Sequence, residues 1–239
     1  MQKKKEKPLF KKRLRFFLTS SFLILLLIVP IVISLALNFF AKPLLIDENI
    51  ALIEKSGNKI ISDLGQQLAM ARTLAVSLAE IGESVPPDPD AYRRLIPSLM
   101  DVKGFESIIA GGGIWPEPFR FDPTAKRRSF FWGRDKSGTL IYYDDYNVPE
   151  GAGYHNEEWY VPAKYLKEGQ VFWSKSYMDP YSFQAMVTCT APYWIGEQLS
   201  GVSTIDLKLE GLKAFFSRAV KSIGGYGFAV DRNNKFLSF

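Results

Sequence analysis

Cysteine and histidine are almost missing from this chain of 239 residues, with one of each, Cys189 and His155. A single cysteine excludes an internal disulfide, so the fold must be held by its core, as a bacterial periplasm allows. Cys189 lies in the strand-like stretch Met186 to Ala191 and reads as a buried, inert thiol. The only histidine, His155, has no second ligand nearby and is a weak metal candidate, and the sequence shows no nucleophile–His arrangement or metal-ligand cluster, so no metal or cofactor is expected. The glycine cluster Gly111-Gly112-Gly113 is followed by neither Lys nor Ser/Thr at phosphate-loop spacing. It therefore reads as close backbone packing along a strand. Low-complexity tracts are also missing, and nothing in the chain encodes catalysis.

What is present begins with an uncharged apolar run from Phe16 to Ala41, behind a lysine-rich N-terminus. Eighteen Phe, Leu, Ile or Val residues fall between Phe16 and Phe40. At roughly −0.3 to −0.6 kcal/mol per such residue near a bilayer centre, insertion as a helix is favourable. The length suits a hydrocarbon core about 30 Å thick. Ser34-Leu35-Ala36 resembles a signal-peptidase site, but the run is longer than a signal-peptide core of about 7–15 residues and continues through Phe39 and Phe40. An uncleaved signal anchor is the expectation.

The charge balance of +5 belongs to the tail. Residues 1–15 carry eight Lys or Arg and the single acid Glu6, and without them the balance becomes −2. Nucleic-acid binding thereby loses its basis. The positive cluster instead predicts a cytoplasmic N-terminus in the cell inner membrane, contact with anionic lipid headgroups, and a periplasmic or extracellular region from residue 42 onward.

Beyond the anchor, apolar residues recur at helical spacing from Leu44 to about Ile81, and Pro86-Pro87-Asp88-Pro89 ends the pattern. This predicts a long helix whose apolar stripe also serves a homodimer. A short helix from Asp90 to Met100, with Asp90 as N-cap, follows. Strands are expected at Ser107–Ile114, Arg128–Trp132, Thr139–Tyr143, Val171–Tyr177, Ala185–Tyr193 and Leu199–Leu207, joined in antiparallel pairs by turns such as Asp135-Lys-Ser-Gly138. Glu157 to about Leu166 reads as a helix interrupted by Pro162, and Leu209 to Ile223 as a last helix. Gly227–Val230 and Phe236–Phe239 begin a new hairpin, which predicts that the sequence is a fragment, the N-terminal part of a longer receptor. Lys126-Arg127-Arg128 reads as a solvated face, and Asp144-Asp145 as a loop with local hydrogen bonds or a lid.

This order of elements resembles the double Cache sensor domains of bacterial receptors. The resemblance is carried by Gly112-Gly-Ile-Trp-Pro-Glu-Pro118, Phe130-Phe-Trp-Gly-Arg134, Tyr142-Tyr-Asp-Asp-Tyr-Asn147 and Glu157-Glu-Trp-Tyr160. Trp173-Ser-Lys-Ser-Tyr-Met-Asp-Pro180, Met186 to Pro192 and Gly201 to Leu207 add to it. It implies an α+β fold: a tail (1–15), an anchor (16–41), a stalk helix (42–82), a PAS-like membrane-distal module (83–223) and the first hairpin of a second module (224–239). The output domain, a diguanylate cyclase, a histidine kinase or a chemotaxis signalling region, would lie beyond.

In amino-acid-binding members of that family an Arg two positions before the Trp of a Trp-Tyr pair holds the ligand carboxylate, and an Asp on a later strand holds the amine. Here Trp159-Tyr160 and Asp206 match, but Glu157 stands where the Arg would be. A carboxylate there repels a ligand carboxylate and suits a cationic amine. The physical argument agrees. Trp159, Tyr160, Tyr177 and Trp132 offer aromatic faces to an ammonium, at about 0.5–2 kcal/mol each, with Asp206, Asp179 and Glu157 as charged acceptors. Two alternatives stay open: an anchored hydrolase pairing Glu157 or Glu158 with Asp144, Asp179 or Asp206, and a scaffold with no small-molecule ligand.

Overall fold

The computed structural model describes residues 6–151, 153–221 and 227–238, which form parts of two compact units, 1–58 and 59–239. Lys3 to Lys5 of the basic tail, the last two residues of the helix expected to reach Ile223, and Phe239 lie outside the described residues.

The first unit is helical: α1 (Glu6–Ala36), a π-helical turn (Leu37–Ala41) and the opening turns of α2 (Lys42–Ser84). The helical stretch from Phe10 is long and apolar enough to cross a membrane, and its most apolar window is wholly unburied by protein. Polar side chains in the run are absorbed by the helix itself. Thr19 Oγ1 donates to the Arg15 carbonyl at 2.9 Å and Asn38 Nδ2 to that of Ser34 at 3.0 Å. The π turn precedes Pro43, whose ring would collide with the carbonyl four residues back in a regular helix. It instead brings the Lys42 N–H onto the Leu37 carbonyl.

The second unit is an antiparallel sheet between two unlike layers. Its strands are β1 (Ile109–Pro116), β2 (Phe130–Arg134), β3 (Leu140–Tyr143), β4 (Phe172–Trp173), β5 (Tyr177–Met178), β6 (Ala185–Ile195) and β7 (Gln198–Lys208). They run in the order β3-β2-β1-β7-β6-β4, and β5 also pairs with β6. β1 can sit tightly between β2 and β7 because of Gly111-Gly112-Gly113. A Cβ on Gly111 or Gly113 would strike carbonyls of β2, and one on Gly112 the Thr204 carbonyl of β7.

Alternation along each strand sends side chains to opposite faces. On one face Ile114, Phe130, Trp132, Val187, Cys189, Ile205 and Leu207 pack against Ala71, Ala75 and Leu78 of α2 and against Tyr92, Ile96 and Met100 of α3 (Pro89–Met100). Small residues let α2 lie close: Ser203 Oγ donates to the Ala75 carbonyl at 2.5 Å. On the other face Trp115, Phe131 and Val202 pack under a cap of loops and short 3-10 turns carrying Tyr146, Tyr154, Trp159, Tyr160 and Ala163. After β7 come α4 (Leu209–Lys221) and a hairpin of β8 (Ala229–Val230) and β9 (Phe236–Ser238).

Three local expectations are corrected. The N-cap of α3 is Asp88, whose side chain accepts from Asp90 N–H, because Pro89 at the first helical position moves the boundary back. Glu157 to Leu166 is not a helix but a turn followed by the 3-10 segment Val161–Tyr165, opened by Pro162. Arg127 is not solvated: it is buried, and its guanidinium donates to the carbonyls of Val148, Glu150 and Gly151, clamping the cap loop.

Candidate functional site

The cap and the sheet enclose a cavity of about 10 Å³ lined by Trp115, Phe131, Tyr146, Trp159, Tyr177, Asp179, Thr204 and Asp206. The floor comes from β1, β2 and β7, and the roof from the cap. Its rings form a continuous aromatic box. Trp115 packs on Trp159 at 4.7 Å between centroids, edge-on to Tyr146 at 5.0 Å and against Phe131 at 5.3 Å. Trp115 is fixed further by its indole N–H, which donates to Thr204 Oγ1 at 2.9 Å.

The two acids in the box differ. Asp179 is saturated: its Oδ1 accepts from the Tyr146 hydroxyl at 2.6 Å, and its Oδ2 from Ser182 N–H and Oγ at 2.6 Å each and from Tyr181 N–H at 3.3 Å. Asp206 is fully enclosed and, among the described residues, accepts from one donor, Thr188 Oγ1 at 2.7 Å. Burial pushes the Asp206 carboxyl up to about 7, the Thr188 bond opposes this, and Asp179 adds to it. No Lys or Arg is among the residues lining the cavity.

Of the seven residues singled out from the sequence, the structure brings Trp159, Tyr177, Asp179 and Asp206 together in the cavity wall. Glu157 sits beside them on the exposed side of the cap; its carboxyl is raised by desolvation and then by Asp179. Tyr160 belongs to the same aromatic cluster but turns away from the cavity, its hydroxyl donating to Glu117 at 2.7 Å beneath Lys164, whose Nζ lies 4.9 Å from the ring centre. Trp132 lies on the opposite, helix-covered face, against Tyr142 at 5.0 Å. Sequence reasoning missed Trp115, Phe131, Tyr146 and Thr204. Strand parity was the available signal: Thr204 and Asp206 share a face, and Phe131 takes the face that Trp132 does not. Asp144 bonds locally, accepting from Tyr142 and Asn147. The described residues contain no cluster of metal-ligating side chains.

The second unit thus combines a PAS-like sheet with an aromatic, acid-bearing box under a loop cap. Residues 101–214 match the family model of the methyl-accepting chemotaxis protein-like first PDC sensor domain. That matched region, just under half of the chain, includes every residue lining the cavity. Methyl-accepting chemotaxis protein McpC of Bacillus subtilis (strain 168) is 20% identical over 223 residues, covering 90% of this chain and 30% of that protein. The chain thus spans about a third of the length of this curated relative. Among solved structures, Methyl-accepting Chemotaxis protein X aligns with a TM-score of 0.60 at 17% identity, over 75% of this chain and 68% of that one. The ligand-binding domain of the Pseudomonas aeruginosa PAO1 amino acid chemoreceptor PctC, in complex with GABA, aligns with a TM-score of 0.52 at 21% identity, over 79% and 74%. At these identities the solved structures establish the fold.

Proposed function

We propose that this chain is the ligand-sensing region of a transmembrane signal-transduction receptor. In this reading the basic tail is cytoplasmic, on anionic lipid; the apolar helix is an uncleaved anchor; and the sensor domain stands outside the membrane and dimerises through α2. The output lies in a longer protein, consistent with this chain's spanning 30% of its curated relative. The ligand is a small cationic amine. One observation carries this choice: Asp206 is buried in an aromatic box with a second acid and no lining base. An ammonium there relieves an enclosed carboxylate and gains the ring faces. A zwitterion would bring a second, negative end with no partner in the cavity wall and with Glu157 close by. The PctC domain, crystallised with GABA, supports a small amine-bearing ligand as the general class for this scaffold.

The cavity's 10 Å³ is about the space of a single water, so even methylammonium requires the cap to yield. Trp159 and Tyr146, which come from the cap, are the rings that must move, while Trp115 is held to Thr204 in the sheet. Occupancy is thereby converted into cap displacement, a two-state change suited to signalling. The test is calorimetry of the whole chain in nanodiscs, with alkylammonium salts set against neutral alcohols and amino acids. Amines are expected to bind and, near pH 7, to release a proton from Asp206 on binding. Binding of amino acids without amines would overturn the cation assignment and leave the sensor assignment standing.

A further inference from the structure

Thr188 lies on β6 directly across from Asp206 on β7. It is completely buried and immobilised by Ser174: Ser174 N–H donates to the Thr188 carbonyl at 2.9 Å, and Thr188 N–H to Ser174 Oγ at 2.9 Å. Its hydroxyl donates to Asp206 Oδ1 at 2.7 Å and lies 2.8 Å from the Tyr177 hydroxyl. Threonine has one hydroxyl proton. With that proton directed at the carboxylate, Tyr177 must be the donor to Thr188. The result is a chain of fixed sense, Tyr177 to Thr188 to Asp206. If Asp206 becomes protonated the sense reverses, with the carboxyl donating to Thr188 and Thr188 to Tyr177.

No other hydrogen-bond donor among the described residues reaches the Asp206 carboxylate, whereas Asp179 has four. We propose that Thr188 is the positioning residue that sets the charge of Asp206 and, through it, the preference of the cavity for a cation. This rests on reading the cavity as a cation site. The groups facing Asp206 cannot substitute for Thr188. Tyr177 and Tyr146 have hydroxyls raised by burial, and Asp179 is the remaining acid. Thr188 alone favours the ionised form, which accepts an ammonium.

Valine has the shape of threonine without the hydroxyl. Thr188→Val therefore orphans both Tyr177 and Asp206, while Thr188→Ser keeps the relay. Tyr177→Phe removes only the distal donor and guards against a fold-breaking Thr188→Val. Two readouts are needed on the whole chain in nanodiscs. The first is infrared titration of the protonated-carboxyl band lost in Asp206→Asn, which requires no ligand. The second is propylammonium affinity from pH 5 to 9, a range in which this probe keeps its charge.

Thr188→Val is expected to raise the carboxyl midpoint from about 7 by about a unit and so to weaken propylammonium binding at pH 7.5 by roughly threefold, because the ionised share of Asp206 falls by that factor. Thr188→Ser should restore both, and Tyr177→Phe should move the midpoint less. An unchanged midpoint in Thr188→Val overturns the proposal. A shifted midpoint in Thr188→Val, together with a wild-type chain that binds no amine, overturns the cation reading and leaves the relay in place.

Discussion

The two faces of this sheet meet different partners and do different work. Phe130 and Trp132 face the helices, while Phe131 between them faces the cap; Ile205 and Leu207 face the helices, while Thr204 and Asp206 face the cap. Helices satisfy their own backbone, so α2 and α3 bring mostly alkyl and aromatic groups to the interface, and the layer packs closed. A loop cap carries unpaired backbone polar groups and must fasten them individually. Here Arg127 takes three carbonyls, Tyr154 donates to the Pro116 carbonyl at 2.8 Å, and Asn147 accepts from Ser129. The cap side therefore admits buried polar groups, and with them a site. One layer supplies stability, and in the reading proposed above the other supplies recognition.

The sharpest break of that comparison is Asp206→Asn. Amine affinity should fall at least 100-fold, because an amide cannot pair with a buried ammonium, at a cost of roughly 3 kcal/mol or more. Calorimetry decides, and retention of micromolar binding would remove Asp206 from the site. Ile96→Ala, on the fully buried face of α3, should show the complementary pattern. It is expected to cost about 2–5 kcal/mol of stability in urea while leaving the intrinsic affinity of the folded fraction within about twofold. A large affinity change there would show that the two layers are not independent.

A third prediction concerns pH. Burial raises the Asp206 carboxyl from 3.8 to about 7, so the folded state holds that proton more tightly than the unfolded chain. Its contribution is fully present below 3.8 and is lost as the pH rises to about 7. Asp206→Asn cannot ionise, so above pH 7 it should be more stable than the parent by a few kcal/mol, with the gap closing near pH 4. Unfolding midpoints that run parallel at pH 4.5 and pH 8 would show that burial does not hold this carboxyl neutral. The smallest effect is expected at Glu158, which pairs with Arg232 at the surface and accepts from Lys175 N–H. Glu158→Gln should change stability by less than about 1 kcal/mol, increasingly masked as salt is added.

Much of this was legible in the sequence. Strand positions were, because alternating residues between turn signals leave few other options, and all six expected strands lie within a few residues of observed ones. The fourth, Val171–Tyr177, is divided into β4 and β5 by a break at Ser174, where side-chain bonds to β6 and to the next carbonyl replace the regular ladder. The cap was legible only in part. Glu157 to Leu166 has helical composition, but Pro162 and the anchoring of Tyr160 on Glu117 impose short turns instead. Aromatic content pointed to Trp159 and Trp132 alike. Trp159 reaches the cavity from the cap, whereas on β2 sheet parity turns Phe131 and not Trp132 to it, and a one-residue shift in strand register reverses that assignment.

The three glycines of β1 give the site a seam. Trp115 and Phe131 belong to the β1–β2 side of the cavity, Thr204 and Asp206 to the β7 side, and Gly112 lies where the two strands meet, with no room for a methyl group. A side chain there would push the strands apart and enlarge the box from below without altering any residue that lines it. Variants with a changed ligand spectrum should therefore arise at this silent position as well as in the pocket, and a comparison of lining residues alone would miss them.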